Sequence, residues 1–126
     1  MRRKTLNEAL QAIRKQMTPD DEGSLWTLLF DDPAGMPVIA QVIDGGADQL
    51  DSEWLRIFAS VLDLVDAPAY LFAIIRSGGW PHPSDQQLWR NLRVLLQDSR
   101  CQILGLLVVG ENTHWCAPDN DAPAAA

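Results

Sequence analysis

Two uncharged apolar segments constrain the fold of this chain more than any other feature of its sequence. Residues 69–75 and 102–109 are short, nearly continuous apolar runs that contain no charged side chain. A strand that is covered on both faces has this composition, because successive side chains point to opposite sides of the sheet and both sets must be apolar. The two segments therefore predict buried strands, and 69–75 is the best candidate for the central one.

Three further segments predict the rest of a sheet. Residues 24–30 and 36–43 are apolar runs separated by Asp-Asp-Pro-Ala-Gly, which is typical of a hairpin turn. A final edge strand is expected at 113–116, after the turn signal Gly-Glu-Asn. Because strands and helical patterns alternate and at least one hairpin is present, we expect an α/β fold with a mixed β-sheet flanked by helices.

Two helices are predicted before the central strand. The first covers residues 5–17, with Thr5 as its N-cap and Glu8 as the partner in a capping box. The second follows a cap at Asp51 or Ser52. Apolar residues cover more than half of its circumference, which predicts that this helix is mostly buried.

A third helix is predicted between the two buried strands. It begins either with Pro83 in its first turn or with Ser84 as its cap, and it ends near residue 98. Its inward face is marked by leucines at helical spacing, which are Leu88, Leu92, Leu95 and Leu96.

The length and composition predict one folded domain. A chain of 126 residues with 47% apolar residues is large enough for a single core. We expect an N-terminal helical segment at 1–20, an α/β domain at 24–117 and a tail at 118–126. The tail is expected to be disordered, because its Ala, Pro, Asp and Asn residues cannot bury apolar surface.

The charge and the motifs exclude several partners and cofactors. A formal net charge of −7 argues against direct nucleic-acid binding, which needs clustered Lys and Arg. No membrane-spanning run and no signal-peptide pattern are seen, so a cytoplasmic protein is expected. The two cysteines have no CxxC spacing and predict free thiols. No glycine-rich phosphate motif follows a strand, so no nucleotide cofactor is expected.

Several short strings, taken in order, resemble the JAB (JAMM/MPN) domain of RadC-like metalloproteases over residues 25–116. The strings at strand ends are Leu28-Leu29-Phe30-Asp31, Val42-Ile43-Asp44-Gly45 and Leu104 to Gly110. The family signature His-Asn-His-Pro-Ser-Gly falls in register with 74–79, and the Pro-Ser-x-x-Asp that follows it falls on 83–87. The resemblance implies a JAB/MPN-like (cytidine deaminase-like) architecture.

The same register implies that the metal ligands of the family are missing. Its two histidines fall on Ile74 and Arg76, and its aspartate falls on Gln87. A hydrocarbon cannot bind zinc, and a guanidinium places a fixed positive charge where the cation would lie. We therefore expect no metal, no cofactor and no catalytic residue retained from the family.

The loop in place of the signature supplies the candidate cleft or surface, which comprises Ser77, Trp80, His82, Asp85 and the more distant His114. Arg76 is expected to pair with Asp85 or Glu53, or to bind an anion. Trp80 lies between glycine and proline and is expected to be exposed. A rearranged metal site would draw on His82, Asp85, His114 and Cys116.

The favoured function is a non-catalytic scaffold, or pseudoenzyme, that binds a protein partner or a second copy of itself. Inactive members of the JAB/MPN superfamily have such roles, and the chain contains five tryptophans, a residue type that is enriched in protein–protein interfaces. The alternatives are a metal-dependent, peptidase-like hydrolase with a rearranged zinc site, an enzyme of altered chemistry, and a DNA-repair accessory protein. A serine triad is not supported, because Ser77 precedes its two glycines instead of lying between glycines.

Overall fold

A mixed sheet of five strands forms the centre of the structure, a computed structural model that describes residues 3–30, 37–65 and 67–120. The strands are β1 (Leu25–Phe30), β2 (Val38–Ile43), β3 (Ala69–Ile75), β4 (Gln102–Val109) and β5 (His114–Ala117). Their order in the sheet is β2-β1-β3-β4-β5. β3 and β4 are parallel and the other neighbouring pairs are antiparallel. The predicted α/β class with a mixed sheet is confirmed.

Three α-helices cover the two faces of the sheet within the described ranges. They are α1 (Arg3–Gln16), α2 (Ser52–Val65) and α3 (Pro83–Leu95). α1 packs on one face through Ala9, Leu10 and Ile13, and α2 and α3 pack on the opposite face. The sheet is therefore the middle layer between one helix and a pair of helices.

β3 is buried along its whole length because it lies between β1 and β4 and beneath helices on both faces. Its side chains alternate between the two cores. Tyr70, Phe72 and Ile74 face α2 and α3, whereas Leu71 and Ala73 face α1. The prediction that residues 69–75 form the central strand is confirmed.

The predicted start of the first helix is wrong, whereas the predicted cap of the second helix is confirmed. α1 begins at Arg3, so Thr5 lies inside its first turn and is not its N-cap. The reason is that Arg3 and Lys4 favour the helical conformation and extend the helix toward the N-terminus. Asp51 caps α2, since its Oδ1 accepts a hydrogen bond of 2.8 Å from the backbone N–H of Trp54.

α3 begins at Pro83, as predicted, but ends at Leu95 instead of near residue 98. Leu96 leaves the helical conformation with φ −105° and ψ 7°, and the backbone N–H of Ser99 then bonds to the Leu96 carbonyl in a turn. Three of the four leucines that were predicted to face inward are buried, whereas Leu95 is 40% exposed. Leu95 is turned away because its neighbour Leu96 takes the inward position.

α2 does not fit the prediction of a mostly buried helix. Its buried residues form one stripe, which comprises Leu55, Phe58, Ala59 and Leu62. Ile57, Val61, Leu64 and Val65 are exposed, and Leu64 is 84% exposed. The reason is geometric: a helix in the outer layer of the fold contacts the sheet with one face only, so a second apolar stripe remains at the surface.

Some predicted segments lie partly outside the described residues. The hairpin turn at 31–35 and the end of the tail at 121–126 are in this class. The prediction of disorder is wrong for residues 118–120, which form a turn because Asn120 bonds to the backbone of Cys116. β1 and β2 pair as the predicted hairpin, and β5 lies at the edge of the sheet as expected. In the ranges that the structure describes, no helix is both long and apolar enough to cross a membrane.

The two neighbouring faces of α3 give a test of this packing. We expect Leu92→Ala to lower the free energy of unfolding by about 2–5 kcal/mol, because Leu92 is completely buried and its removal leaves a cavity. Leu95→Ala is the matched control and should cost less than about 1 kcal/mol. Urea unfolding followed by circular dichroism measures both values, and equal losses would contradict the assignment of the inward face.

Candidate functional site

The side chain of Arg76 is the centre of the candidate site. Arg76 follows β3 directly, and its backbone N–H donates to the carbonyl oxygen of Val109 at the end of β4, at 3.0 Å. The residue is only 4% exposed. Because a guanidinium carries five N–H donors and a permanent charge, its burial requires acceptors of opposite charge close by.

Asp85 provides the first of these acceptors. Arg76 donates from Nε to Oδ2 at 3.1 Å and from Nη2 to Oδ1 at 2.6 Å, so the pair is bidentate. Asp85 is completely buried in the first turn of α3, where its Oδ2 also accepts the backbone N–H of His82 at 2.9 Å. A carboxylate is favourable there, since the free N–H groups at a helix start attract negative charge.

Asp48 provides the second acceptor, at the edge of the guanidinium formed by Nη1 and Nη2. It lies in a short 3₁₀ turn at Ala47–Gln49 that follows β2. Nη2 of Arg76 donates to Oδ1 at 2.8 Å, and Nη1 donates to Oδ2 at 3.3 Å. Gly46 has φ +77°, a left-handed conformation that glycine adopts without strain, and this turn directs Asp48 toward Arg76. The Asp48 side chain is 48% exposed, so this pair borders solvent.

Asp48 also holds the first turn of α3. The Ser84 hydroxyl donates to Asp48 Oδ1 at 2.5 Å, and Nδ1 of His82 lies 3.3 Å from the same oxygen. The His82 side chain is 53% exposed. The loop after β2, the end of β3 and the start of α3 are thus joined by one polar cluster, which comprises Asp48, Arg76, His82, Ser84 and Asp85.

The charges of this polar cluster stabilise each other. The hydrogen bond from Ser84 lowers the pKa of Asp48 most; burial acts in the opposite direction, and the hydrogen bond and charge of Arg76 lower the pKa further. Burial alone would lower the pKa of Arg76, but the hydrogen bonds and charges of Asp85 and Asp48 outweigh it and raise that pKa. The guanidinium therefore stays charged at any pH at which the protein folds.

The three residues that the resemblance places at metal-ligand positions do not share one environment. Ile74 is fully buried in the core beneath α2 and α3, next to the end of β3 from which Arg76 extends. Gln87 is exposed on α3, and its Nε2 donates to Oδ1 of Asn91 at 3.0 Å. The α3 residue that meets Arg76 is Asp85, which lies two positions earlier than the residue aligned with the family aspartate.

The other candidate residues are at the surface. Ser77 is exposed, and its backbone N–H donates to Oε1 of Glu22 at 2.8 Å. Trp80 is 72% exposed, in agreement with the expectation from its glycine and proline neighbours. His114 is exposed at the start of β5. Of the expected partners of Arg76, the structure provides Asp85, while Glu53 is exposed on α2.

These residues do not fit a metal ion. Within residues 3–30, 37–65 and 67–120, no group of three or more His, Cys, Asp or Glu side chains is arranged to hold one. Both oxygens of Asp85 accept hydrogen bonds from Arg76, whose charge would repel a cation. Burial, followed by the charge of Asp119, raises the pKa of the Cys116 thiol to about 11, so this sulfur is not a thiolate at neutral pH.

Asp48 and Ser84 are the members of the polar cluster that were not predicted as site residues, although Ser84 was considered as a helix cap. The signal for Asp48 was indirect. A completely buried guanidinium cannot satisfy five donors with one carboxylate, which accepts only two of them in bidentate geometry. Arg76 follows a strand that was predicted to be buried, but its own burial was not predicted; this burial requires a second acidic residue, and the turn after β2 contains one.

Comparison with known proteins assigns no family to this geometry. No protein-family model matches the chain, and no curated protein matches it. What the site can do follows from its distances, burial and charges.

Removal of the buried carboxylate tests the role of the polar cluster. We expect Asp85→Asn to lower the free energy of unfolding by about 3–5 kcal/mol, because it leaves the buried guanidinium without its closest counter-charge. Asp20→Asn, at an exposed position, is the control and should change stability by less than about 0.5 kcal/mol. Chemical denaturation at pH 7 measures both, and a loss of less than about 1 kcal/mol in Asp85→Asn would contradict a stabilising pair.

Proposed function

We propose that this chain is a non-catalytic protein-interaction module of the RadC-like JAB type that binds a protein partner through the exposed side of α2. The observation that carries the proposal is the exposed apolar stripe of that helix, which provides a contact surface. The polar cluster in the same domain contains a permanent, buried charge, and this charge argues against metal-dependent hydrolysis.

The polar cluster has a structural role in this proposal. Both oxygens of the buried Asp85 accept hydrogen bonds from Arg76. The hydrogen bond from Ser84 lowers the pKa of Asp48, which makes this half-exposed carboxylate a weaker base. The guanidinium is enclosed by protein, and its donors toward Asp85 and Asp48 are occupied. A site of this kind fixes the loops around it and does not present a reactive group to a substrate.

The contact surface is the outer face of α2, formed by Ile57, Val61, Leu64 and Val65. Val61, Leu64 and Val65 follow Ile57 by four, seven and eight residues, so all four side chains lie on one side of the helix. Their exposures are 60%, 48%, 84% and 49%. Single exposed apolar residues are ordinary, but a continuous stripe of four is typical of a surface that another protein covers.

The partner that fits this face is the apolar side of a helix or a shallow apolar groove. Helix recognition uses anchors at the spacing seen here, and the hydrophobic effect supplies most of the affinity. Glu53 and Arg56 are exposed on the same helix and can form a polar rim.

The JAB part of the proposal is supported by the order of the sequence strings and is compatible with the mixed α/β sheet. It implies that Ile74 and Arg76 replace two histidine ligands. Because the two positions are separated by one residue at the end of β3, their side chains point to the same face of the sheet. Histidines at both positions would therefore face the same region as Asp85.

The interaction surface can be tested with charged substitutions. We expect the double variant Ile57→Asp, Leu64→Asp to reduce capture of a protein partner at least tenfold, because two carboxylates within the apolar stripe oppose its desolvation. Affinity capture from cells that express the chain, followed by quantitative mass spectrometry, compares it with the unmodified protein. Val94→Asp, at a 65% exposed position on α3, is the control and should retain the partner. Equal capture by the double variant would contradict the proposal.

The family register can be tested with zinc. We expect the double variant Ile74→His, Arg76→His to bind zinc through its two imidazoles and through the Asp85 carboxylate, which no longer pairs with Arg76. At a zinc concentration 100 times the Kd, the Tm of this variant should rise by at least about 5 °C. Differential scanning calorimetry with and without zinc measures the rise. Ile74→His alone, which keeps the guanidinium, should not respond. A folded double variant without a response would refute the placement of two histidine ligands at positions 74 and 76 and leave the interaction surface untouched.

A further inference from the structure

The first half of β4 has a neighbouring strand on one side only. β4 has eight residues and β5 has four, and the two pair from Leu106 with Ala117 to Val109 with His114. Residues 102–105 pair with β3, but no strand of the described ranges lies on their outer side. Pro118 follows β5 directly and has no backbone N–H with which to continue the ladder. The sheet is therefore open at this edge.

An open cavity of about 640 Å³ lies where β5 is missing, between the first half of β4 and the second half of α3. Its volume is within the range of small-molecule binding sites, which is about 300–1,000 Å³. Both walls contribute apolar side chains to the lining, which are Trp89, Val94, Leu96, Ile103 and Leu104. Ile103 and Leu104 are only half-buried, so a ligand that covers them removes further apolar surface from water.

The charged side chains that line this cavity are both basic. Arg90 and Arg93 lie three positions apart on α3, on one side of the helix. No Asp or Glu among the described residues lines the cavity. The whole chain has the opposite balance, with 17 Asp and Glu residues against 10 Lys and Arg residues. Most of the surface therefore repels anions, whereas this cavity attracts them.

Arg93 is positioned by an aromatic ring and not by a counter-charge. Its Cζ lies 5.7 Å from the centroid of the Trp89 ring, which is close enough for a cation–π contact. Trp89 is 3% exposed, so the core fixes this ring. Within the part of the chain that the structure describes, no acceptor takes a hydrogen bond from the Arg93 guanidinium. Its N–H donors can therefore bind a carboxylate through two parallel hydrogen bonds.

We propose that this cavity binds a small organic carboxylate with an apolar body. The carboxylate pairs with Arg93, and the apolar body covers Ile103 and Leu104. The cavity lies at the start of β4, whereas the polar cluster lies at the other end of the parallel β3–β4 pair. Because Arg93 is exposed and solvent screens its charge, we expect a Kd on the order of 1 mM for a bicyclic carboxylate.

Three naphthalene derivatives of similar size test the requirement for a negative charge. At neutral pH 1-naphthoate is an anion, 1-naphthylmethanol is uncharged and 1-naphthylmethylamine is a cation. Two-dimensional NMR of the full chain, titrated with each compound at low salt, measures Kd from the backbone amides of residues 101–104 and the indole N–H of Trp89. Relative to 1-naphthoate, the alcohol should bind at least threefold more weakly and the amine at least tenfold more weakly, because Arg93 attracts the anion and repels the cation.

Arg93→Gln tests the residue that recognises the carboxylate. This variant keeps a polar side chain and should weaken the binding of 1-naphthoate at least fivefold. Arg56→Gln, at an exposed position of α2, removes the same charge and should bind like the unmodified chain. Because Arg93 is itself exposed, its replacement should leave the fold intact, and the dispersion of the NMR spectrum verifies this.

The same titration separates this cavity from the contact surface on α2. Shifts confined to residues 52–65 would mean that the compounds bind the apolar stripe, which would overturn the cavity proposal and leave the proposed function standing. The cavity proposal would also be wrong if residues 101–104 gave no saturable shift, if the amine bound as tightly as 1-naphthoate, or if folded Arg93→Gln kept its full affinity.

Discussion

The buried charge of Arg76 is the constraint on which the arrangement of loops at this end of the sheet depends. A guanidinium that is 4% exposed is stable only if carboxylates surround it, so the turn after β2 and the first turn of α3 must both approach the end of β3. The ion pairs therefore act together with the buried leucines of α3 in fixing the position of that helix relative to the sheet. The same interaction leaves no room for a cation, which links the packing of the domain to its proposed lack of metal chemistry.

The layered fold could be predicted from sequence because the necessary signals are local. The apolar run at 69–75 indicated a buried strand directly, and the run at 102–109 indicated a strand that is buried from residue 105 onward. The turn residues between β1 and β2 indicated a hairpin. The start of α3 followed from Pro83, whose fixed φ suits the first turn of a helix. Each of these features depends on neighbours within a few positions, and for this reason one sequence was sufficient to predict them.

The features that were predicted wrongly or missed depend on tertiary position. The apolar residues of α2 suggested burial, but apolar composition does not tell whether a second layer covers the outer face, and here Leu64 is exposed. The interaction of Asp48 with Arg76 joins residues 28 positions apart, so no local pattern identified it. Asp85 was expected as one of two carboxylate partners of Arg76, and its position at the start of the helix made that pairing predictable.

The position of β3 has a consequence for how fast the domain can fold. β3 pairs with β1, 39 to 49 positions earlier, and with β4, 33 or 34 positions later, so its ladders close only after long segments of chain have been brought together. Folding rates fall as the mean sequence separation of native contacts rises. The β1–β2 hairpin is the local exception and can form before the rest of the sheet. The central strand, although it is the most protected part of the finished structure, therefore belongs to its slow-forming part.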